Sequence, residues 1–372
     1  MITVHRIIGL VLGVWLTVVG LTGAFLVYHQ EFDTWLHADM MTVAAAPTAL
    51  PDFDRMAAVV AAAHPERRLL YFERYGLNPL ESAPFVMSAP GADMSRIADP
   101  EDASDLEVFV DQNTFQILGE RPYATWMRTV RSLHMELLVP KTGERILGAI
   151  GVVVLTTVIA GIVLWWRDNK HRLGRGLRLR WSSPTPRLMR DLHTVSGIYI
   201  AVFLIWQVAS GVLVCDWFQV RTFFAQLFGT GPAGSARIAL PEPAPEIPVT
   251  LNMARDTALA VHPASIVVLL KPPLTPAGRI SVRLFPTDEP KARHMRQIEV
   301  NARTGKIQMR FDPDLVPTLQ AFMNLWMIWI HKGEFLGWPG RIIVLITGLT
   351  LATLFPTGVY IWDRKRKSRG IK

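Results

Sequence analysis

Hydrophobic residues follow two regimes along this chain. Four long runs are apolar almost without interruption, roughly Ile7 to Val27, Ile146 to Trp166, Leu192 to Val214 and Ile342 to Trp362. Each is close to the ~20 residues that carry a helix across a ~30 Å hydrocarbon core, so the pattern predicts four transmembrane helices. Between them the periods are short. From Phe53 to Ala63 the spacing is helical and stops at His64-Pro65, where proline cannot continue a helix. Strands are predicted around Leu69 to Phe72, Pro84 to Ser88 and Leu106 to Val110, the last turning through Asp111-Gln112-Asn113 into Phe115 to Leu118. The Pro- and Ala-rich stretch from Ala44 to Pro51 reads as a linker.

A second long interval repeats the plan. Met253 to Val261 is helical and stops at His262-Pro263; Ile266 to Leu270 and Ile280 to Phe285 read as strands. Ile298 to Asn301 turns through Arg303-Thr304-Gly305 into Lys306 to Met309. His64 returns as His262 at an offset of 198 residues, and His5 and Gly23 return as His193 and Gly211 at 188. His134, Gly161 and Trp165 return as His331, Gly358 and Trp362 at 197. The chain thus reads as a tandem duplication of one unit: helix, folded interval, helix.

Charge sets the orientation. The net charge is +8, and the stretch Arg167 to Arg190 carries Arg167, Lys170, Arg172, Arg175, Arg178, Arg180, Arg187 and Arg190 against the single acid Asp168. The tail holds Arg364, Lys365, Arg366, Lys367, Arg369 and Lys372. The positive-inside rule puts both basic segments and both termini in the cytoplasm and the two folded intervals outside. Beside membrane helices, basic residues imply contact with anionic lipid and no nucleic acid. The first run is longer than a signal-peptide core, and Ala44-Ala45-Ala46, the nearest cleavage-like site, lies well past its end, so the run is expected to be an anchor. Cys215 is the only cysteine, which excludes an intramolecular disulfide, and no Cys-x-x-Cys-His supports covalent haem attachment.

These residues carry a resemblance. His5-Arg6-Ile7-Ile8-Gly9-Leu10 with Gly20-Leu21-Thr22-Gly23, Ser132-Leu133-His134, Arg190-Asp191-Leu192-His193 and His331-Lys332-Gly333-Glu334-Phe335-Leu336-Gly337 are similar to signatures of the PepSY-associated transmembrane family. The folded intervals resemble PepSY domains, with a helix ending in His-Pro and a hairpin turn like Asn301-Ala302-Arg303-Thr304-Gly305; the first turn, Asp111-Gln112-Asn113-Thr114-Phe115, lacks the glycine. The resemblance implies a membrane α-helical bundle with two α+β PepSY-like periplasmic domains. It implies an iron-regulated protein of the bacterial inner membrane, a family that includes ferric-siderophore reductases with two b-type haems.

The expected organisation is a first helix over 1–28, a periplasmic PepSY-like domain over 29–125, an interfacial segment over 126–145 and a second helix over 146–166. A basic cytoplasmic loop over 167–190, a third helix over 191–214, a second PepSY-like domain over 215–320, an interfacial segment over 321–341, a fourth helix over 342–362 and a basic tail over 363–372 complete it. Within the interfacial segments, short helices are expected at Trp126 to Leu138 and Phe322 to Ile330.

Ten histidines are present. His64 and His262 suit helix C-termini, where a cation meets the helix dipole. His171 and His294 lie in polar stretches, and His37 has no evident partner. His5, His134, His193 and His331 differ, because the repeat pairs them and topology sets their depth. Only His5 with His193 and His134 with His331 join residues on one membrane face. Neutral imidazole donates a lone pair to iron, so two b-type haems with these axial ligands are expected, one per leaflet. Gly9 and Gly197, one turn deeper than His5 and His193, would let a flat ring lie against backbone, and close helix packing explains them equally well. Arg145 and Arg341 are candidate propionate partners at the outer site, and Arg6, Arg187 or Arg190 at the inner one. His29 is a rival outer ligand. A zinc site would lack the carboxylates or thiolates to complete four ligands.

The expected function is haem-dependent reduction of a ferric siderophore at the outer face, with no catalytic residue beyond the haem ligands. Fe(II) is a weaker partner than Fe(III) for hard oxygen ligands, so reduction releases iron. No Gly-x-Gly-x-x-Gly follows a strand, so the electron donor is expected to be quinol or a redox protein. The alternative is a non-enzymatic, membrane-anchored PepSY module that binds peptide or regulates a protease.

Overall fold

The computed structural model describes all residues except 75–77, 93–103, 124, 216–235, 238–248, 274–277, 289–294, 314–326, 369 and 371–372, together with all but the side chains of 236–237 and 308–310. The helices are α1 (Ile2–Leu26), α2 (His29–Leu36), α3 (Ala38–Met41), α4 (Phe53–Ala63), α5 (Trp126–Glu136), α6 (Thr142–Asn169), α7 (Leu173–Gly176), α8 (Thr185–Val214), α9 (Leu251–Val261), α10 (Met327–His331) and α11 (Trp338–Ser368). The strands are β1 (Leu69–Glu73), β2 (Ala83–Met87), β3 (Leu106–Val110), β4 (Ile117–Pro122), β5 (Ala236–Arg237), β6 (Ser265–Lys271), β7 (Arg279–Pro286), β8 (Arg296–Asn301) and β9 (Ile307–Phe311). The expected sites at His294, Arg369 and Lys372, and residues 322–326 of the second interfacial helix, lie outside the described residues.

The chain divides into a helical unit, residues 1–29, 127–224 and 327–372, and a sheet unit, residues 30–126 and 225–326. In the helical unit α1, α6, α8 and α11 are long and apolar enough to cross a membrane. All but the first begin before the apolar run and end at or after it, because a helix satisfies its own backbone groups and continues into polar flanks. Close approach is built from glycine. Gly20 of α1 meets Gly348 of α11 backbone to backbone, where a Cβ on Gly20 would stand 2.9 Å from the Gly348 carbonyl. The entries to α6 and α11 are alike: Gly143 packs on the Glu136 carbonyl and Gly340 on that of Gly333. The first interfacial helix is shorter than its expected span to Leu138, because Leu137 and Leu138 adopt left-handed backbone, with φ of 59° and 61°, to reverse the chain.

In the sheet unit nine described strands form one antiparallel sheet in the order β4-β3-β2-β1-β6-β7-β8-β9-β5. The two domains expected over 29–125 and 215–320 are therefore joined: β1 pairs β6 through Phe72 with Leu270 and Glu73 with Leu269. Each strand would otherwise expose an edge, and pairing them removes both. The core is shared as well. Phe53, Met56 and Val60 of α4 and Ala254 and Ala258 of α9 pack in one cluster with Phe72, Phe85, Leu270, Ile280 and Ile298. The helices begin alike, with Asp52 accepting from the Arg55 N–H and Thr250 from the Met253 N–H, and both end at a histidine, His64 and His262.

The two hairpin turns share their hydrogen bonding but place different residues at the left-handed position. Asn301 accepts from the N–H groups of Arg303 and Thr304, and Gly305 takes φ of +68°. Asp111 accepts from Asn113 and Thr114, and Phe115 takes φ of 62°. The aromatic ring offsets part of that strain by packing on the core under the Arg55 guanidinium, 4.0 Å away. β4 consequently starts at Ile117, not at Phe115.

His37, expected to lack a partner, has Nδ1 2.9 Å from Asp33. Asp33 also accepts two bonds from Arg121, whose Nε reaches Glu107 at 2.7 Å, and Glu107 is fully buried. Burial alone would raise the Asp33 carboxyl, but bonds and charge from Arg121 and His37 hold it below its ordinary value. Stability tied to Asp33 is present at neutral pH and lost as pH falls through that lowered value. Arg121→Met, which removes the guanidinium from the buried Glu107, is expected to destabilise the sheet unit by about 3–5 kcal/mol. Amide-exchange protection of β3 and β4 in the full chain in detergent measures this, and wild-type protection in the variant is the contrary result. Asp33→Asn is expected to flatten the acid limb of the same protection.

Candidate functional site

The helical unit brings the four singled-out histidines into two pairs. The ring centres of His5 and His193 lie 6.3 Å apart, with planes at 82°. Those of His134 and His331 lie 6.4 Å apart, at 45°. His5 and His193 stand near the starts of α1 and α8, so their pair lies at one end of the bundle. The second pair meets the far ends of the same helices. Fourteen residues of α1 separate His5 from Val19, which contacts His134, so the levels are roughly 20 Å apart.

Each imidazole is seated in the same way. His5 Nδ1 lies 3.0 Å from the Thr157 carbonyl, His193 Nδ1 2.9 Å from that of Leu354, and His134 Nδ1 3.0 Å from that of Val19. His331 Nδ1 lies 2.9 Å from Ser210 Oγ, whose own proton is directed to the Trp206 and Gln207 carbonyls. A carbonyl only accepts, so Nδ1 carries the proton and Nε2 keeps the lone pair. Among the described residues the four Nε2 atoms make no hydrogen bond. Burial pushes His134 and His331 down to about 4, the second helped by His134 itself, so both are neutral near pH 7.

Beside each acceptor stands a glycine. A Cβ on Gly161 would lie 3.2 Å from Cε1 of His5, and one on Gly358 equally close to that of His193. One on Gly23 would lie 2.7 Å from Cε1 of His134, and one on Gly211 3.2 Å from that of His331. Each glycine is four residues after a carbonyl that faces the ring, at Thr157, Leu354 and Val19, with Gln207 the matching position for His331. Omitting the side chain lets the imidazole reach a carbonyl already bonded within its helix.

Gly9 and Gly197, expected to leave a flat ring room against backbone, are not the glycines that meet the imidazoles. A Cβ on Gly9 would meet nothing within 4 Å, and one on Gly197 only Leu354 at 3.6 Å. They leave room beside the histidines but do not seat them. The signal that finds the seating glycines was present in the sequence, since Gly23 matches Gly211 and Gly161 matches Gly358 at the repeat offsets.

The remaining candidates are placed as follows. Arg341 lies 4.4 Å from the Tyr28 ring and 5.6 Å from that of Trp338, and donates to the Val27 carbonyl. Arg145, Arg6, Arg187 and Arg190 are exposed. His29 Nδ1 lies 2.6 Å from the Leu26 carbonyl, which ties it to the end of α1. His64 Nε2 is 2.9 Å from Glu120, and His262 Nε2 3.6 Å from Asp312. Sequence reasoning missed Arg180, which grips Asp191 with bonds of 2.6 and 2.8 Å and so fixes the basic loop to α8 two residues before His193.

Among the described residues no three His, Cys, Asp or Glu side chains converge. Each site therefore offers two imidazoles. With metal–nitrogen bonds of about 2 Å on opposite sides of one ion, two imidazole centres lie about 6 Å apart, as both pairs do. The donor set fits an axially held iron and falls short of a four-ligand zinc site.

Four helices long and apolar enough to cross a membrane, a separate antiparallel sheet and two half-buried histidine pairs define a membrane protein. The family described as PepSY-associated TM region matches residues 2–365, and the chain belongs to that family. No curated protein matches it.

Gly23→Ala is expected to displace the His134 ring and break its bond to Val19, a loss of about 1 kcal/mol. Gly211→Ala, with 3.2 Å available, should disturb His331 less. Nitrogen-15 histidine spectra of the two variants report each Nδ1 bond, and an equal response in both contradicts the seating described.

Proposed function

We propose that the protein is a dihaem b-type electron-transfer protein of the bacterial inner membrane that reduces a ferric siderophore at the periplasmic face. His5 with His193, and His134 with His331, would each hold the iron of one haem through their Nε2 atoms. The observation that carries this reading is the pair geometry: two imidazoles per site, centres 6.3 and 6.4 Å apart, each with Nε2 left to donate. Each haem, when bound, supplies a one-electron iron centre. The chain's own residues do the rest. The acceptors of Nδ1 fix ring direction and tautomer and raise the basicity of Nε2. The apolar helices exclude water.

Sidedness follows from charge. The cations of the basic loop and the tail put the His5–His193 site toward the cytoplasm and the His134–His331 site toward the periplasm. The first site would then face quinol or a redox protein as electron donor, and the second the substrate. The substrate is Fe(III) held by hard oxygen ligands, and one electron turns it into a weaker partner for them. Arg341 is already engaged by Tyr28, Trp338 and Val27, so Arg145 is the freer outer cation for a propionate. A membrane-anchored PepSY module that binds peptide or restrains a protease needs none of the four imidazoles.

Purified, dithionite-reduced protein is expected to show the sharp α-band of b-type haem, with two haems per chain by pyridine haemochrome assay. His193→Ala should remove about half of the haem, and His193→Ala with His331→Ala nearly all of it. Full occupancy in the double variant refutes the pairing, and wild-type protein without the band leaves the anchored module as the reading.

A further inference from the structure

Three of the four imidazoles have a hydroxyl oxygen beside Nδ1, and the fourth does not. Thr22 Oγ1 lies 3.0 Å from Nδ1 of His134, Ser210 Oγ 2.9 Å from that of His331 and Thr357 Oγ1 3.2 Å from that of His193. Each hydroxyl residue stands immediately before a seating glycine, at Gly23, Gly211 and Gly358. Before the remaining one, Gly161, the chain has Ala160. Among the described residues His5 Nδ1 accordingly meets only the Thr157 carbonyl, at 3.0 Å. The two levels therefore differ: the outer pair has a hydroxyl on each histidine, and the inner pair has one on His193 alone.

The direction of each hydroxyl is fixed by its own helix. Thr22 donates to the Val18 carbonyl at 2.8 Å, Ser210 to that of Trp206 at 2.8 Å and Thr357 to that of Thr353 at 2.6 Å. With its proton given to a carbonyl four residues back, the oxygen keeps a lone pair for the Nδ1 proton. Such back-bonds are ordinary in apolar helices, and Thr17, Thr347 and Thr350 make them as well. What singles out Thr22, Ser210 and Thr357 is the imidazole each one faces.

We propose that Thr22, Ser210 and Thr357 are positioning residues whose oxygens, by sharing the Nδ1 proton, tune the iron each histidine would hold, and that their placement makes the outer site the stronger reductant. The inference rests on the redox reading above. An acceptor on Nδ1–H draws the proton from the ring and makes Nε2 a stronger donor. A stronger donor favours Fe(III) over Fe(II) and so lowers the midpoint potential. Two hydroxyls lower it at the outer site and one at the inner. The substrate gives that order a use. Fe(III) in a shell of hard oxygen ligands resists reduction, so the site that faces it gains from the lower potential. An inside-negative membrane potential favours outward movement of an electron and offsets the uphill step between the levels.

The test is a spectroelectrochemical titration of the full chain with both haems in nanodiscs. At a fixed ambient potential, Thr22→Val and Ser210→Ala are each expected to lower the Fe(III)/Fe(II) ratio of the same haem about fivefold, the worth of one ordinary hydrogen bond, and the double variant more. Thr357→Val should do so in the other haem. Thr22→Ser, which keeps the oxygen, should retain the wild-type ratio. Ala160→Ser supplies the missing hydroxyl and is expected to raise, by about the same factor, the ratio of the haem that Thr357→Val moves. Unmoved potentials in the Thr22→Val, Ser210→Ala double variant with both haems in place overturn the tuning alone. A higher wild-type potential for the haem that Thr22→Val moves than for the other overturns the order. If the Thr22 and Ser210 variants lose haem, Ala160→Ser carries the test, and an unmoved ratio there overturns the proposal. Wild-type protein without haem overturns the redox reading and the tuning together.

Discussion

The bundle is organised around one hydrogen bond, an imidazole N–H given to a helix carbonyl beside a glycine. In hydrocarbon a polar ring cannot be left without a partner, and the only acceptors in quantity are carbonyls already bonded within their helices. Such a carbonyl has a second lone pair, reached only where the helix surface is stripped to backbone. Gly161, Gly358, Gly23 and Gly211 strip it at four places. One bond then settles burial, tautomer and direction at once, and Nε2 becomes the atom left to do chemistry. The small hydroxyl residues beside three of these glycines, Thr22, Ser210 and Thr357, lie within 3.0, 2.9 and 3.2 Å of Nδ1 and reinforce the same choice.

Much of this was legible in the sequence. The four apolar runs fixed the helices to within a few residues, because nothing else satisfies a backbone in lipid. His-Pro marked the ends of α4 and α9 at the residue. The pairing of the four histidines followed from orientation and repeat offset, since two helices entering from one side bring their first turns to one level. The seating glycines were visible as matched positions yet were not tied to the imidazoles, because the glycine that matters to a histidine lies on another helix, more than a hundred residues away.

The sheet unit shows the same limit. Each interval declared its own helix and strands, but no local signal announces that β1 and β6 pair, because an edge looks alike whether it ends a sheet or continues one. The joining bond pairs are few, and the commitment comes from the shared core of α4, α9 and both sets of strands. His37 was misjudged for a related reason. Its partner Asp33 is four residues away on the same segment, but the pair gains its meaning from Arg121, which spends its guanidinium on Asp33 and on the fully buried Glu107.

The way contacts divide between the halves explains why the histidines come in pairs at all. Within the first half α1 and α6 exchange partners: His5 of α1 sits on α6 at Thr157 and Gly161, and His134, just before α6, sits on α1 at Val19 and Gly23. The second half does the same, His193 on α11 and His331 on α8. Each half therefore completes one socket at each end of the bundle by itself. What it cannot supply is a second imidazole at either end, since its two histidines sit roughly 20 Å apart. The facing imidazole comes only from the other half, so a two-imidazole site exists at either level only when both halves are assembled.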